Sequence, residues 1–325
     1  MGRVMIFVNG FDIVLDDVFV ALDGFVPGVE VYLKLEGLNP AGSIKLKTAV
    51  ALIEDAEADG RIRGGSRIIE STSGNLGAAL AQICAAKRYP LTLVTDPNAN
   101  ARSIRAIESL GADVVRVQER DDQQGFLQTR IDYILARLSE EPDLVWLNQY
   151  ANAANMRAHR DQTATAIHKE LGAIDALFVG AGTTGTLMGC ARYFGEHSPH
   201  TRIVAVDAVG SVTFGHPAGK RHLTGLGTSR RPELLDDDGT FEKVMVSEPD
   251  SIRMCHHLAR RYGLLLGAST GTVLVAVRRL SGTLPPGSRV VVISPDLGEK
   301  YFDNVYSRSW VAERYPGVFD ATGPS

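Results

Sequence analysis

Short runs of β-branched and other apolar residues alternate with helical stretches along almost the whole chain. The strand-like runs are residues 67–70, 91–95, 113–117, 145–148, 176–179, 202–206, 243–246 and 289–293. Between them lie stretches such as 76–88, 126–138 and 252–262, whose apolar residues recur at helical spacing. Parallel strands need crossover connections, which are usually helical and right-handed. The alternation therefore predicts an α/β protein with mainly parallel sheets flanked by helices.

The chain is long enough for two domains. Its 325 residues exceed the roughly 250–300 at which a single core stops growing. One group of strand-like runs precedes residue 150 and another follows it, which suggests two sheets with a cleft between them. We predict a smaller, mobile domain of residues 40–152 and a larger domain of residues 1–39 and 153–325. The first segment, residues 1–15, is predicted to form an edge strand.

Composition points to small-molecule partners. The net charge of −4 and a pI near 6.1 give no basic excess for binding nucleic acid or an anionic membrane. No apolar run approaches the ~18–20 residues of a membrane span. The three cysteines form no CxxC pair. We therefore expect buried thiols and no metal site. These features predict a cytoplasmic protein.

A glycine-rich turn, GAGTTGT at residues 180–186, follows one strand-like run and precedes a helical stretch. Free backbone N–H groups and the positive end of the helix dipole meet at such a junction, which makes it a phosphate cradle. Its glycines do not follow GxGxxG, and no acidic residue ends the next strand at the expected distance. The turn therefore argues against a nucleotide-binding dehydrogenase.

A lysine follows a Pro/Gly turn in NPAGSIK, residues 39–45, at the predicted start of a helix. The positive end of a helix disfavours a cationic side chain, and burial lowers the pKa of an amine further. Such a lysine is suited to covalent chemistry with a carbonyl group. Lys47 competes with Lys45 for this role. The two lie about 200° apart around a helix, so only one can face the cleft.

Two further junctions carry hydroxyl groups at predicted helix starts. ESTSGNLG, residues 70–77, combines hydroxyls with N-terminal amides and suits a carboxylate. GASTG, residues 267–271, is a similar turn before the helical stretch 272–280. Either segment alone is also compatible with a well-capped helix.

Taken together and in this order, the four segments resemble those of the fold-type-II pyridoxal-phosphate enzymes of the cysteine synthase and cystathionine β-synthase family, whose fold is tryptophan synthase β-like. The resemblance implies that Lys45 bonds to pyridoxal 5′-phosphate and removes the α-proton of an amino acid. It places Asn75 at the 3′-oxygen of the cofactor and Ser269 at its pyridine nitrogen. The implied phosphate-binding residues are Gly182, Thr183, Thr184, Gly185 and Thr186, and the implied carboxylate-binding residues are Ser71, Thr72 and Ser73. A homodimer is also implied.

A narrower resemblance concerns the N-(2-amino-2-carboxyethyl)-L-glutamate synthases, which supply 2,3-diaminopropionate for siderophore and antibiotic assembly. It is carried by LNQYAN (147–152), VAVDAVGS (204–211) and SPDLGEKYFDNVYS (294–307). It implies that O-phospho-L-serine loses phosphate to give an α-aminoacrylate, which then takes up L-glutamate. Gln149 joins the carboxylate site, while Arg130 and Tyr150 are candidates for the second substrate. Arg130 equally suits a solvated helix face.

The sequence departs from the family pattern at the following two places, and two alternative functions remain open. Leu46-Lys47 replaces the Asp-Arg usual in the family, and Gly182 stands where the siderophore-type synthases can carry serine. A cysteine synthase, or another β-substituted alanine synthase, would use sulfide or a different small nucleophile. A non-catalytic pyridoxal-phosphate-binding partner would have no need of Lys45 as a base.

Overall fold

The computed structural model describes residues 6–72, 74–122 and 125–320, and it contains two sheets. One has six strands in the order β1-β2-β10-β7-β8-β9, and the other has four in the order β5-β4-β3-β6. The strands are β1 (Phe19–Ala21), β2 (Glu30–Leu35), β3 (Arg67–Ser71), β4 (Leu91–Thr95), β5 (Asp113–Arg116), β6 (Leu144–Trp146), β7 (Ala176–Gly180), β8 (Arg202–Ala208), β9 (Glu242–Val246) and β10 (Arg289–Ser294). Every pairing is parallel except that of β1 with β2. The predicted α/β class is confirmed.

The predicted edge strand at the start of the chain is wrong for the described residues 6–15. They contain a 3-10 turn, Gly10–Asp12, in place of a strand. The backbone and side-chain nitrogens of Asn9 each donate to Asp12 Oδ2 at 3.1 Å, which folds the segment back on itself. The edge of the sheet is formed instead by β1, which pairs with the unpredicted strand β2.

Helices connect and flank the strands. They are α1 (Lys45–Ala58), α2 (Asn75–Lys87), α3 (Ala101–Ser109), α4 (Leu127–Glu140), α5 (Ala153–Ala158), α6 (Thr165–Leu171), α7 (Gly185–His197), α8 (Glu248–Tyr262), α9 (Ala268–Leu280) and α10 (Arg308–Arg314). The three cysteines are buried free thiols, as predicted. Within the described ranges, no helix is long and apolar enough to cross a membrane.

Helices α5 and α6 are separated by a π-helical turn, His159–Ala164. This turn packs closely against α7 at Gly189, where a Cβ atom would lie 2.6 Å from the carbonyl oxygen of Met156 and 2.7 Å from the backbone nitrogen of Arg160. Only glycine permits this approach of the two backbones. The turn places the His159 side chain in the interior, fully buried.

The carboxyl ends of three strands converge on one cleft. The loops that follow β3, β7 and β10 all line the same cavity, contributing Thr72, Thr183 and Asp296 among others. Because the strands are parallel within each sheet, their carboxyl ends share an edge, and ligands of open α/β sheets bind at such an edge. The fold therefore brings together segments that are far apart in sequence.

A buried ion cluster anchors α1 from behind. The ammonium group of Lys47 lies 2.9 Å from a Glu36 carboxylate oxygen and also contacts Asp16, while Lys34 lies 3.3 Å from Glu36. Lys34, Glu36 and Lys47 are each at most 2% exposed. Buried charges of this kind require close partners. The cluster thus fixes α1 against β2 and the N-terminal segment, and it accounts for a lysine at position 47.

Replacing Lys47 with Met should destabilise the protein by about 3 kcal/mol, because removal of one partner from a buried ion cluster leaves uncompensated charge. Lys87→Met is the matched control. Lys87 pairs with Glu57 at 2.8 Å, but both side chains are about 30% exposed, so its loss should cost less than about 1 kcal/mol. Equilibrium denaturation of the two variants measures the difference. Equal, small losses would show that the cluster does not stabilise α1.

Candidate functional site

A cavity of about 220 Å³ lies between the two sheets. Ten of the residues singled out from the sequence line it: Lys45, Thr72, Asn75, Gln149, Tyr150, Gly182, Thr183, Thr184, Thr186 and Ser269. The structure therefore gathers the four sequence segments around one space.

Lys45 is the first residue of α1, and its side chain lines the cavity. Its Nζ lies 3.5 Å from Thr183 Oγ1. Burial lowers the pKa of Lys45 to about 8, so roughly a tenth of the amine is neutral at pH 7, far more than for an ordinary lysine. Lys47 points to the opposite side, into the ion cluster. Of the two candidate lysines, Lys45 is the one that faces the cavity.

The turn between β7 and α7 has the features of an anion site. Thr184 adopts a left-handed conformation with φ of +64°, which is unfavourable for a β-branched residue. Its Oγ1 is buried and has no hydrogen-bond partner among the described residues. Gly182, Thr183 and Thr186 also face the cavity at the N-terminus of α7. A phosphate placed there would receive the backbone N–H groups and the threonine hydroxyls.

Gly185 lies behind this turn and does not line the cavity. A Cβ atom at this position would lie 2.4 Å from Cγ of Asn155. Glycine is therefore required so that the buried Asn155 side chain can pack against α7. The sequence analysis did not identify Asn155, which supports this turn through Thr183 without lining the cavity.

The segment after β3 is only partly in the cavity. Thr72 lines it, and the Thr72 hydroxyl accepts a hydrogen bond from the backbone of Gly74 at 3.2 Å. The Ser71 side chain is buried outside the cavity lining, while its carbonyl accepts a hydrogen bond from Gln149 Nε2 at 2.8 Å. Ser73 lies outside the described residues. Thr72 and Gln149 thus both line the cavity, and the Ser71 carbonyl orients the Gln149 side chain.

Asn75 belongs to a polar network that was not expected. Its Nδ2 donates to Asp296 Oδ2 at 2.7 Å, and its Oδ1 accepts from Lys300 Nζ at 2.7 Å. Tyr301 donates to the same Asp296 oxygen at 2.8 Å. Burial raises the pKa of Asp296. The segment SPDLGEKY (294–301) contains Asp296, Lys300 and Tyr301. Its resemblance to the family was the sequence signal that could have pointed to this network.

A second cavity of about 140 Å³ adjoins the first, and Tyr150 lines both. Arg130 on α4 lines the second cavity and is only 6% exposed. Its Nη1 lies 3.4 Å from Asp96 Oδ2, and its Nε has no hydrogen-bond partner within the described part of the chain. Arg130 is therefore not a solvated helix-face residue. Burial raises the pKa of Tyr150, an effect that the neighbouring Arg130 opposes.

These parts fit pyridoxal 5′-phosphate. Lys45 supplies an amine of lowered pKa for the carbonyl carbon. The strained turn at Thr184, with its unpartnered hydroxyl, suits the phosphate. Ser269, buried at the start of α9, presents a neutral hydroxyl to the same cavity.

Comparison with known proteins agrees with this chemistry. The family model described as "Pyridoxal-phosphate dependent enzyme" matches residues 19–296. An N-(2-amino-2-carboxyethyl)-L-glutamate synthase from Ralstonia nicotianae is 42% identical over 304 residues, which cover 91% of this chain and 89% of the relative. The protein of that name from Cupriavidus metallidurans is 39% identical over 287 residues, or 87% of this chain and 84% of the relative.

Solved structures show the same fold. An O-acetylserine dependent cystathionine beta-synthase from Helicobacter pylori matches with a TM-score of 0.85 and 28% identity, covering 94% of this chain and 100% of the other. O-ureido-L-serine synthase matches with a TM-score of 0.84 and 27% identity, covering 99% and 98%. The predicted fold type is confirmed.

The protein freed of cofactor should bond covalently to pyridoxal 5′-phosphate at a rate that rises with pH and levels off above about 8. Only the neutral amine attacks a carbonyl group, and burial lowers the pKa of Lys45 to about 8. A surface lysine, with a pKa of about 10.4, would still gain reactivity at pH 10. Stopped-flow absorbance between pH 6.5 and 10 measures the profile.

Lys45→Ala should abolish this reaction, while Lys169→Ala, which removes an exposed lysine, should leave it unchanged. A rate that keeps rising through pH 10 would contradict the lowered pKa.

Proposed function

Because the chain belongs to the family of pyridoxal-phosphate dependent enzymes, we propose that it converts O-phospho-L-serine and L-glutamate into N-(2-amino-2-carboxyethyl)-L-glutamate and phosphate. It is a cofactor-dependent β-replacement synthase. The single observation that carries the choice of nucleophile is the buried guanidinium of Arg130, which lines a cavity beside the Lys45 site. The two relatives that carry the name of this reaction support it.

The cofactor, when bound, supplies the electron sink that lets an amino acid lose its α-proton and β-substituent. Lys45 would hold the carbonyl carbon of the cofactor, and its amine would move the α-proton. Gly182 through Thr186 would hold the phosphate at the start of α7. Asn75 would face the 3′-oxygen. The neutral hydroxyl of Ser269 would not keep the ring nitrogen protonated, which favours elimination.

The first substrate binds through its carboxylate. We assign this group to Thr72, Gln149, Ser71 and Ser73, of which Thr72 and Gln149 line the cavity. The contact between Gln149 and the Ser71 carbonyl leaves the Gln149 side chain fixed in one orientation. A carboxylate placed at the end of β3 also meets the N-terminus of α2, where backbone N–H groups favour an anion.

The second substrate is assigned to Arg130 and Tyr150. Glutamate has two carboxylates, and a guanidinium binds a carboxylate bidentately. Arg130 already lies near Asp96, so part of its charge is balanced before the substrate arrives. Sulfide as second substrate has no carboxylate, so an enzyme that uses it would gain nothing from a buried arginine at this position.

We further propose that residues 40–152 form the smaller domain and close over the cavity, while residues 1–39 and 153–325 form the larger domain. The four-stranded sheet falls wholly within the first range. We also propose a cytoplasmic homodimer that supplies 2,3-diaminopropionate to siderophore or antibiotic assembly, in keeping with the resemblance to that group of synthases.

The direct test is to incubate the holoenzyme with O-phospho-L-serine and ¹⁵N-labelled L-glutamate. Phosphate release and a ¹⁵N-labelled adduct, detected by mass spectrometry, are the expected results. The comparison reaction contains O-acetylserine and sulfide. Cysteine formation without any glutamate adduct would contradict the proposal.

Arg130→Lys should raise the KM for glutamate about tenfold and leave the KM for O-phospho-L-serine nearly unchanged. Lysine keeps a positive charge near Asp96 but loses the bidentate contact. Arg137→Lys, on the same helix, is the matched control because Arg137 pairs with Glu141 at the surface. Unchanged kinetics in the Arg130 variant would remove this residue from the second-substrate site.

A further inference from the structure

Six buried side chains form a continuous hydrogen-bonded chain from the ion cluster behind α1 to the cavity. In order they are Lys47, Thr163, His159, Thr48, Asn155 and Thr183, joined by contacts of 3.2, 3.1, 3.1, 3.1 and 3.0 Å. Five of the six are at most 2% exposed, and Thr183 is 9% exposed. Only its last member, Thr183, lines the cavity.

The Lys47 end supplies a donor to the chain. An ammonium group has three protons and no acceptor, and those of Lys47 face Asp16, Glu36 and Thr163 Oγ1. Thr163 therefore accepts from Lys47, which leaves its own proton and one further acceptor position for Nδ1 of His159. The direction of that contact is set by the other end of the chain.

The Asn155 end fixes the direction of the chain. The Nδ2 group of Asn155 donates to the backbone carbonyl of Gln149 at 2.8 Å, and a carbonyl can only accept. The Oδ1 atom of Asn155 therefore faces Thr48, whose hydroxyl donates to it at 3.1 Å. Having given its proton to Asn155, Thr48 must accept from Nε2–H of His159.

The Asn155 end therefore leads to one arrangement of protons, in which Nδ1 of a neutral His159 accepts from Thr163. The buried imidazole agrees with it, because burial and the nearby charges of Lys45 and Lys47 lower the pKa of His159 well below its ordinary value. A neutral imidazole has one donor and one acceptor nitrogen, as the chain requires. His159 and Thr163 lie within the π-helical turn, so this irregularity of the fold provides two members of the chain.

At the cavity, Thr183 accepts from Nδ2 of Asn155 at 3.0 Å. Because Asn155 presents only a donor to it, the hydroxyl proton of Thr183 is left for an acceptor placed in the cavity. We propose that Lys47, Thr163, His159, Thr48 and Asn155 are positioning residues that orient the Thr183 hydroxyl as a donor to the cofactor phosphate. The inference rests on the proposed role of Thr183 at that phosphate.

The physical advantage is preorganisation. A hydroxyl free to rotate would often present its lone pairs to an anion, whereas a fixed donor needs no reorganisation when the anion binds. Gly185 contributes to the arrangement, since a Cβ atom there would press on Asn155 at 2.4 Å. The chain thus gives a common reason for a glycine in the turn and a lysine at position 47.

The first test uses the unmodified protein. ¹⁵N NMR of the histidine-labelled holoenzyme, with the His159 signals identified by their absence in His159→Gln, reports the protonation of each ring nitrogen. The expected result is a neutral ring protonated at Nε2 across pH 6 to 8. A ring protonated at Nδ1, or a charged ring, would overturn the inference.

The second test measures how strongly the protein prefers pyridoxal 5′-phosphate to pyridoxal, which lacks the phosphate. Thr163→Val removes the donor to His159 far from the cavity and should reduce this preference about two- to tenfold. Thr163→Ser keeps the hydroxyl and should restore it. Should Thr163→Val change the tautomer of His159 but not the preference, the proposed link to the phosphate would be overturned.

Thr183→Val distinguishes the role of Thr183 at the phosphate from the role of the hydrogen-bonded chain that orients it. If this variant keeps the full preference for the phosphate-bearing compound, the assignment of Thr183 to the phosphate fails, and the orienting chain fails with it. If Thr183→Val loses the preference while Thr163→Val keeps it, the phosphate assignment stands and only the chain is overturned. Loss of preference in both, with rescue by Thr163→Ser, is the result that we expect.

Discussion

The structure depends on holding one amine, that of Lys45, in a buried position at the N-terminus of a helix. Burial and the helix dipole both disfavour its charged form, which is unfavourable for stability but useful for bonding to a carbonyl. The opposite side of α1 compensates. There Lys47 is fully engaged by Glu36 and Asp16, so the helix is fixed from behind while Lys45 faces the cavity.

The cavity owes its composition to the way in which the sheets meet. The four-stranded sheet presents Thr72 and Asn75, while the six-stranded sheet presents the turn around Thr184 and the loop with Asp296. The Asn75 side chain forms hydrogen bonds with both Asp296 and Lys300, so a polar network crosses the cleft. The closure proposed for residues 40–152 would have to move with this network or break it.

Much of the fold could be predicted from the sequence because strands of a parallel sheet are buried on both faces and appear as apolar runs. β2 was missed because Lys34 interrupts such a run, and only the ion cluster makes a buried lysine tolerable there. The choice of Lys45 over Lys47 required the direction of each side chain. The hydrogen-bonded chain to Thr183 joins residues far apart in sequence, and no local pattern reveals it.

The most direct test of this account is to reduce the holoenzyme with borohydride, digest it, and locate the pyridoxyl group by mass spectrometry. We predict that the group is attached to Lys45 alone, because this lysine lines the cavity with a lowered pKa. Lys300 also lines the cavity, but it is engaged by Asn75. Attachment to Lys300 or Lys47 would contradict the assignment of the site.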